Sequence, residues 1–185
     1  SALQKTLDYS MKAINLNKTD YQNWILLGNI YASLIPYDIS NAYENAQNAY
    51  NKADNLSPKN PAITLLLGRL ELANGSLTKA LDYANKAISL KNNYVEGYVF
   101  RSQLKVQNND ISAAIQDFQA AAYYSENNPQ IILQLGVLLY NLKQYENTVS
   151  ILEKLVAVMP DYSDARYFLG LAYDKLGLAD DAIIQ

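Results

Sequence analysis

The 185-residue chain contains no cysteine and no histidine. The first absence removes disulfides, thiolate nucleophiles and sulfur-ligated metals. The second removes the commonest general base and the commonest metal ligand. There is no Gly-rich phosphate loop and no run of roughly 18 apolar residues, so no part of the sequence reads as a nucleotide cradle or a membrane span. No signal peptide is visible either. Charged residues make up 18% of the chain, with 15 Lys and Arg against 18 Asp and Glu and a net charge of −3. Without a basic cluster there is no electrostatic footprint for a phosphate backbone, so no nucleic-acid partner is expected. No cofactor, metal or catalytic group is expected.

What the sequence does contain is a repeat. Residues 61–94 read as two short amphipathic helices joined at Asn74-Gly75. A step of 34 residues carries this stretch onto 95–128, then onto 129–162, and then onto the segment opening at Ser163. Self-similarity at this period marks a helical solenoid, in which each unit buries its apolar face against its neighbours. On this beat residues 1–20 hold the second helix of a partial repeat. Residues 21–60 form a lengthened repeat, 61–94, 95–128 and 129–162 regular ones, and 163–185 a truncated one. All of 1–185 is expected to form a single all-α array.

The irregularity can be located. A small residue, Ala80, follows Glu71 by nine positions, whereas Ala46 follows Tyr31 by fifteen, so six extra residues fall in the 35–41 connection. Pro36 cannot continue a helix. Asp20 is a candidate N-cap for the helix at 21–33, and Ser40 or Asn41 for the helix at 42–56. The insertion is either a tolerated surface loop or a partner-contact loop.

The pattern Trp24-x2-Leu27-Gly28-x2-Tyr31, followed by Ala46-x3-Tyr50, Ala53 and Pro58, resembles the tetratricopeptide repeat (TPR) signature. Leu67-Gly68 with Ala80, Ala84 and Ala87 repeats it, as do Ala114, Phe118 and Ala121, Leu135-Gly136 with Pro160, and Leu169-Gly170 with Tyr173 and Ala182. The resemblance implies a right-handed superhelical solenoid. Gly28, Gly68, Gly136 and Gly170 are expected to face Ala46, Ala80, Thr148 and Ala182 across each hairpin, because helices approach closely only where side chains are small. Trp24, Tyr31, Tyr50 and Phe118 read as core. The sequence departs from the pattern where Ser102 replaces the glycine and where Glu71 and Lys105 replace the tyrosine. Glu71 and Lys105 stand one period apart, and stacking is expected to pair their charges.

The resemblance also implies that the first helix of each repeat lines a concave face. At the positions that look into such a groove stand Asn29, Leu66, Arg69, Phe100, Gln103, Leu133, Val137, Tyr140, Tyr167, Phe168 and Leu171. Arg69 is the only cation at the ninth positions, so a clamp for a chaperone-tail carboxylate is not expected. The apolar and aromatic set toward the C-terminal side is the mark of a groove for an extended peptide or an amphipathic helix. The expected function is a non-enzymatic protein-interaction scaffold. The rival reading, an enzyme, would rest on Asp161 and Asp164 or on Asp180 and Asp181. These read instead as a helix cap at Ser163 and as acids suited to a helix dipole. Ile183 and Ile184 stand on a helix with no capping unit after it, so self-association through that end is expected. Residues 31–36 and 42–46 also resemble TPR tails that follow multi-spanning O-antigen-ligase-like membrane proteins in some bacteria. The localisation is cytoplasmic by default and extracytoplasmic if that second resemblance holds.

Overall fold

The structure, a computed structural model, describes residues 2–184, with all their side chains except those of Ala2, Ala179, Ile183 and Ile184. Every regular element among them is helical: α1 (Ala2–Leu16), α2 (Tyr21–Ala32), α3 (Ala42–Leu56), α4 (Pro61–Ala73), α5 (Leu77–Leu90), α6 (Val95–Gln107), α7 (Ile111–Tyr124), α8 (Pro129–Asn141), α9 (Tyr145–Val158), α10 (Ser163–Leu176) and α11 (Ala179–Ile184). A 3-10 turn at Ile35–Tyr37 occupies the lengthened α2–α3 connection, and Pro36 opens it.

The helix starts follow local chemistry. The side chains of Asp20, Asn60 and Asn128 accept the backbone N–H two residues on, at 2.9, 3.0 and 2.9 Å. Caps of this kind contribute about 1 kcal/mol each. Pro61 and Pro129 open their helices, where a missing N–H costs nothing. Tyr94 and Tyr162 hold the same cap position in α6 and α10 but do not cap. Tyr94 packs against the adjacent core, and the Tyr162 hydroxyl donates to Gln130 Oε1 at 2.8 Å. The aspartate cap expected for α10 is therefore not formed; Asp164 sits in its first turn instead. Asn41 does stand at the start of α3, but in a left-handed conformation (φ 61°) and without a side-chain cap.

The turns inside the hairpins repeat more strictly than the residues in them. Gly75, Asn109, Lys143 and Gly177, each one period from the last, all take positive φ (78, 60, 59 and 74°). At each, the following N–H reaches back to a carbonyl of the preceding helix: Ser76 to Glu71, Asp110 to Lys105, Gln144 to Leu139 and Leu178 to Tyr173, at 2.8–3.0 Å. This is the Schellman arrangement, which fills carbonyls that a helix end leaves open.

The chain forms two compact units, residues 1–111 and 112–185. In the first, α2–α3 and α4–α5 are hairpins, with α1 on α2, α3 on α4 and α5 on α6. Its core runs through Ile14, Leu27 and Ala49, then Ala46, Tyr50, Leu67 and Leu70, then Leu65, Ala80, Ala84, Ala87, Phe100 and Leu104. Trp24 lies half-buried against the first of these clusters, its indole N–H donating to the Lys18 carbonyl at 3.0 Å. In the second unit α8–α9 is a hairpin, α10 packs on both its helices and α11 on α10. Leu133, Leu152, Leu155, Ala165, Leu169 and Tyr173 fill its core.

Gly28, Gly68 and Gly136 mark close approaches as expected, but the side chains they meet are not the small residues named from the sequence. A methyl built at Gly28 would lie 2.4 Å from a ring carbon of Tyr50, and one at Gly136 would lie 2.5 Å from Leu152 Cδ2. Each of these side chains stands four residues beyond the small residue named from the sequence, Ala46 or Thr148. The glycine admits the large side chain, and the small residue lets the helices close around it. At Gly68 the neighbours are Tyr83 Cβ (3.0 Å), Phe100 (3.1 Å) and the Ala80 carbonyl (3.4 Å). Ser102, in the glycine position of α6, is fully buried and turns its hydroxyl onto the Val99 carbonyl at 2.7 Å.

The charge pairing read from the sequence is corrected. Glu71 does not meet Lys105; its partners are the Tyr43 hydroxyl (2.8 Å), the Gln47 amide (3.3 Å) and Lys79 (3.6 Å). Its side chain points back toward α3 of the preceding hairpin, where a tyrosine and a glutamine supply donors that the next unit's lysine would have to replace. The expected exposed edge at Ile183 and Ile184 lies outside the described side chains.

Because the Tyr50 ring cannot retreat from a buried site, Gly28→Ala is expected to destabilise the fold by about 1–3 kcal/mol. Urea unfolding followed by circular dichroism measures this, and an unchanged midpoint would refute the close approach.

Candidate functional site

The residues expected to line a groove divide sharply by burial. Phe100 and Leu133 are only 2% and 6% exposed and belong to the cores of their units, so they are not surface residues. Their size fits them to the space between hairpins, and that space takes them. Asn29, Arg69 and Gln103 are exposed. The Asn29 side-chain oxygen Oδ1 accepts the Tyr50 hydroxyl at 2.7 Å, which fixes the orientation of the amide and leaves its NH2 group for a ligand. The Arg69 guanidinium lies 5.1 Å above the buried Phe100 ring, a cation–π contact that holds it over the unit's surface. Leu66 is half-buried against the Ala46–Leu70 cluster.

The second unit brings its candidates together. Tyr140 lies edge-on to Phe168 with centroids 5.9 Å apart, Phe168 edge-on to Tyr167 at 5.3 Å, and Tyr145 5.5 Å from Tyr140. These four rings form one continuous aromatic strip on α8, α9 and α10. Val137 and Phe168 back the strip onto the core, and Leu171 is half-buried. Tyr167 is 63% exposed. Beside it a cleft of about 580 Å³ is lined by Pro160, Asp161, Ser163, Arg166, Tyr167, Gly170, Leu171 and Ala182. The strip thus offers flat apolar faces with hydroxyls at the rim, and Arg166 lines the cleft at its Tyr167 end.

Two features lie away from the groove positions of the first helices and were not expected from the sequence. One is an apolar cavity of about 380 Å³ among α7, α8 and α9, walled by Tyr123, Ile132, Leu135, Leu155, Val158 and Met159. The outward apolar residues Tyr123 and Val158 on second helices, with Met159 just past the end of α9, were its signal. The other is a polar pocket around Glu71.

The candidate catalytic acids are all exposed, with Asp180 and Asp181 in the first turn of α11. Among the described residues no group of three or more acidic side chains is placed to hold a metal ion. No described helix is long and apolar enough to cross a membrane.

Hairpins of paired helices, with close approaches at Gly28, Gly68 and Gly136, are the fold of a TPR array. The family model of the tetratricopeptide repeat matches residues 40–94 and 133–185. The chain belongs to the tetratricopeptide repeat family.

Among curated relatives it is 24% identical over 169 residues to the BBSome complex member BBS4 of Bos taurus, covering 91% of this chain and 31% of that protein. It is 33% identical over 90 residues to the uncharacterized protein RP472 of Rickettsia prowazekii (strain Madrid E), covering 49% of this chain and 27% of that protein. The chain thus spans less than a third of either relative. Among solved structures it resembles MamA (TM-score 0.64, 24% identity, 77% of this chain and 84% of that one). It also resembles YrrB, described as a TPR protein with an unusual peptide-binding site (TM-score 0.61, 23% identity, 95% and 91%). Yeast Tom70 aligns with a TM-score of 0.75 at 17% identity, over 96% of this chain and 37% of that one.

Tyrosines hold several of these contacts, and burial controls them. Burial pushes the hydroxyl of Tyr50 up to about 12. Burial, then the Glu71 carboxylate, does the same for Tyr43, and burial, then Glu153, for Tyr173. A tyrosine that ionises near 10 in the unfolded chain and near 12 in the folded one stabilises the fold fully below pH 10. That contribution is lost as the pH rises toward 12. Unfolding free energy is expected to fall steeply between pH 10 and 12. In Tyr50→Phe it is expected to be lower by about 1 kcal/mol at pH 7, from the lost hydrogen bond, and to fall less steeply above pH 10. Urea titrations at stepped pH measure both effects.

Proposed function

We propose that the chain is a non-enzymatic protein-interaction scaffold, and that its second unit binds an extended peptide or the apolar face of a partner helix along the strip Tyr145–Tyr140–Phe168–Tyr167. The observation that carries this reading is the exposure of Tyr167 at the end of an otherwise packed row of rings. A large aromatic held in one orientation by its neighbours, with its far face in solvent, gives contact area at little entropic cost. Arg166 and Asp161 at the adjoining cleft give a peptide's charged groups a direction in which to lie. On the first unit, Arg69, Gln103 and Asn29 present polar groups rather than rings, and Leu66 adds a half-buried apolar surface. The structural likeness to YrrB supports a peptide as ligand, and nucleic acid is not proposed.

A peptide-display screen against the whole chain tests the proposal. Tyr167→Ala is expected to keep the melting temperature of the parent and to weaken the selected peptide's binding at least tenfold, as anchor residues do. Equal binding by the variant would remove the strip as the site.

The sequence resemblance at 31–36 and 42–46 supports a second reading, in which this array is the tail of a bacterial membrane ligase-like protein and serves its assembly. In the structure the intervening connection carries Tyr37 at 75% and Ile39 at 48% exposure, which suits a contact loop. The sequence encoded upstream of Ser1 in the gene tests it: a multi-spanning apolar region supports the reading, and its absence overturns it.

A further inference from the structure

Glu71 occupies the repeat position that holds a tyrosine at Tyr31 and Tyr173, and it is only 3% exposed. A carboxylate taken that far from water needs donors on both oxygens. Oε1 has them, from Tyr43 and Gln47. Oε2 is buried with no hydrogen bond; its nearest cation is Lys79 Nζ at 3.6 Å, on a side chain that is itself 63% exposed. The same shortfall recurs nearby. Asp54 Oδ1 is buried and unbonded, and Oδ2 sees Lys86 only at 3.8 Å. Both ion pairs are too long to be hydrogen bonds.

Next to Glu71 opens a pocket of about 380 Å³, lined by Gln47, Glu71, Lys79, Asp82, Tyr83 and Lys86. Asp82 adds a third, exposed carboxylate at the rim. The lining holds two acids and two lysines, but Lys86 also answers Asp54, outside the lining, so the two lysines serve three acids and one further positive charge can be accommodated. In the lining Glu71 Oε2 lacks a donor, and an aromatic ring, Tyr83, forms part of the wall.

We propose that this pocket binds a guanidinium group, which meets Glu71 Oε2 while Lys79 swings out into solvent. The guanidinium is a planar fork of five N–H donors that pairs bidentately with a carboxylate. It sheds water more readily than an ammonium and stacks on aromatic faces, and Tyr83 offers one. An ammonium is a poorer fit; Lys79 is that case, and it remains 3.6 Å away. The group comes either from a free guanidino compound or from an arginine of a partner chain. The site is in the first unit and does not depend on the aromatic strip of the second.

The test is a titration of the whole chain with agmatine and with a short arginine-containing peptide, followed by the NMR shifts of the Gln47 side-chain amide and by calorimetry. Saturable binding that moves the Gln47 signal is expected for at least one of them. Binding of agmatine as tight as that of the peptide assigns the free compound; binding of the peptide alone assigns a partner's arginine. A peptide with citrulline in place of arginine is expected not to bind. Glu71→Gln is expected to abolish binding. Because that change alters a buried network, Lys79→Met supplies an independent check: removing the internal competitor should tighten binding about three- to fivefold. No saturable binding in either the parent or Lys79→Met, equal binding of the citrulline peptide, or weaker binding by Lys79→Met would overturn the proposal.

Discussion

The α2–α3 and α8–α9 hairpins can close only because one position in each carries no side chain at all. At Gly28 a single methyl group would collide with the Tyr50 ring, and at Gly136 with Leu152. Those large side chains are themselves core, at 3% and 0% exposure. The distance between paired helices is therefore set by a ring or an isobutyl group lying flat on bare backbone. Everything else depends on that spacing. Once it is fixed, Leu67 and Leu70 join one core cluster in the first unit and Leu133 and Leu169 another in the second, and α8 and α10 are left with faces that the core does not need. The aromatic strip occupies those faces.

Much of this was legible in the sequence, because the constraint is periodic and small residues are conspicuous in an apolar pattern. The helices fall where the 34-residue beat places them, and the insertion lies where the offset between Tyr31 and Ala46 puts it. Exposure was not legible. Leu65, Leu133 and Tyr167 share the fifth position of their helices, yet the first two are buried and the third is mostly in solvent. Phe100 and Phe168 share the sixth position, and only Phe168 reaches the surface strip. Register tells which way a side chain leaves its helix. Whether it meets a neighbour or water depends on what the adjoining hairpin presents there, and that is a matter of three dimensions.

Glu71 and Lys105 show the same limit for charge. One period of separation placed them on corresponding turns, which suggested a pair. The glutamate instead found the Tyr43 hydroxyl and the Gln47 amide on α3, two donors within reach of a buried oxygen. A buried carboxylate is governed by where donors stand rather than by the nearest formal charge in a repeat register. Substituting an acid for the tyrosine of the pattern thus leaves the position turned to the preceding hairpin, as Tyr173 is turned to Glu153, but leaves a lone pair unfilled beside an open pocket.

The widened link between α2 and α3 has a broader meaning for how such a molecule tolerates change. Closing a loop grows costlier only with the logarithm of its length, so six added residues raise that cost by about 1 kcal/mol. The hairpin it closes still places Gly28 against Tyr50. In a fold whose contacts run between sequence neighbours, a lengthened segment is felt by the pair it joins and hardly beyond. Evolution can lengthen and decorate one rung of the ladder at a time, trying new surfaces there without retuning the others.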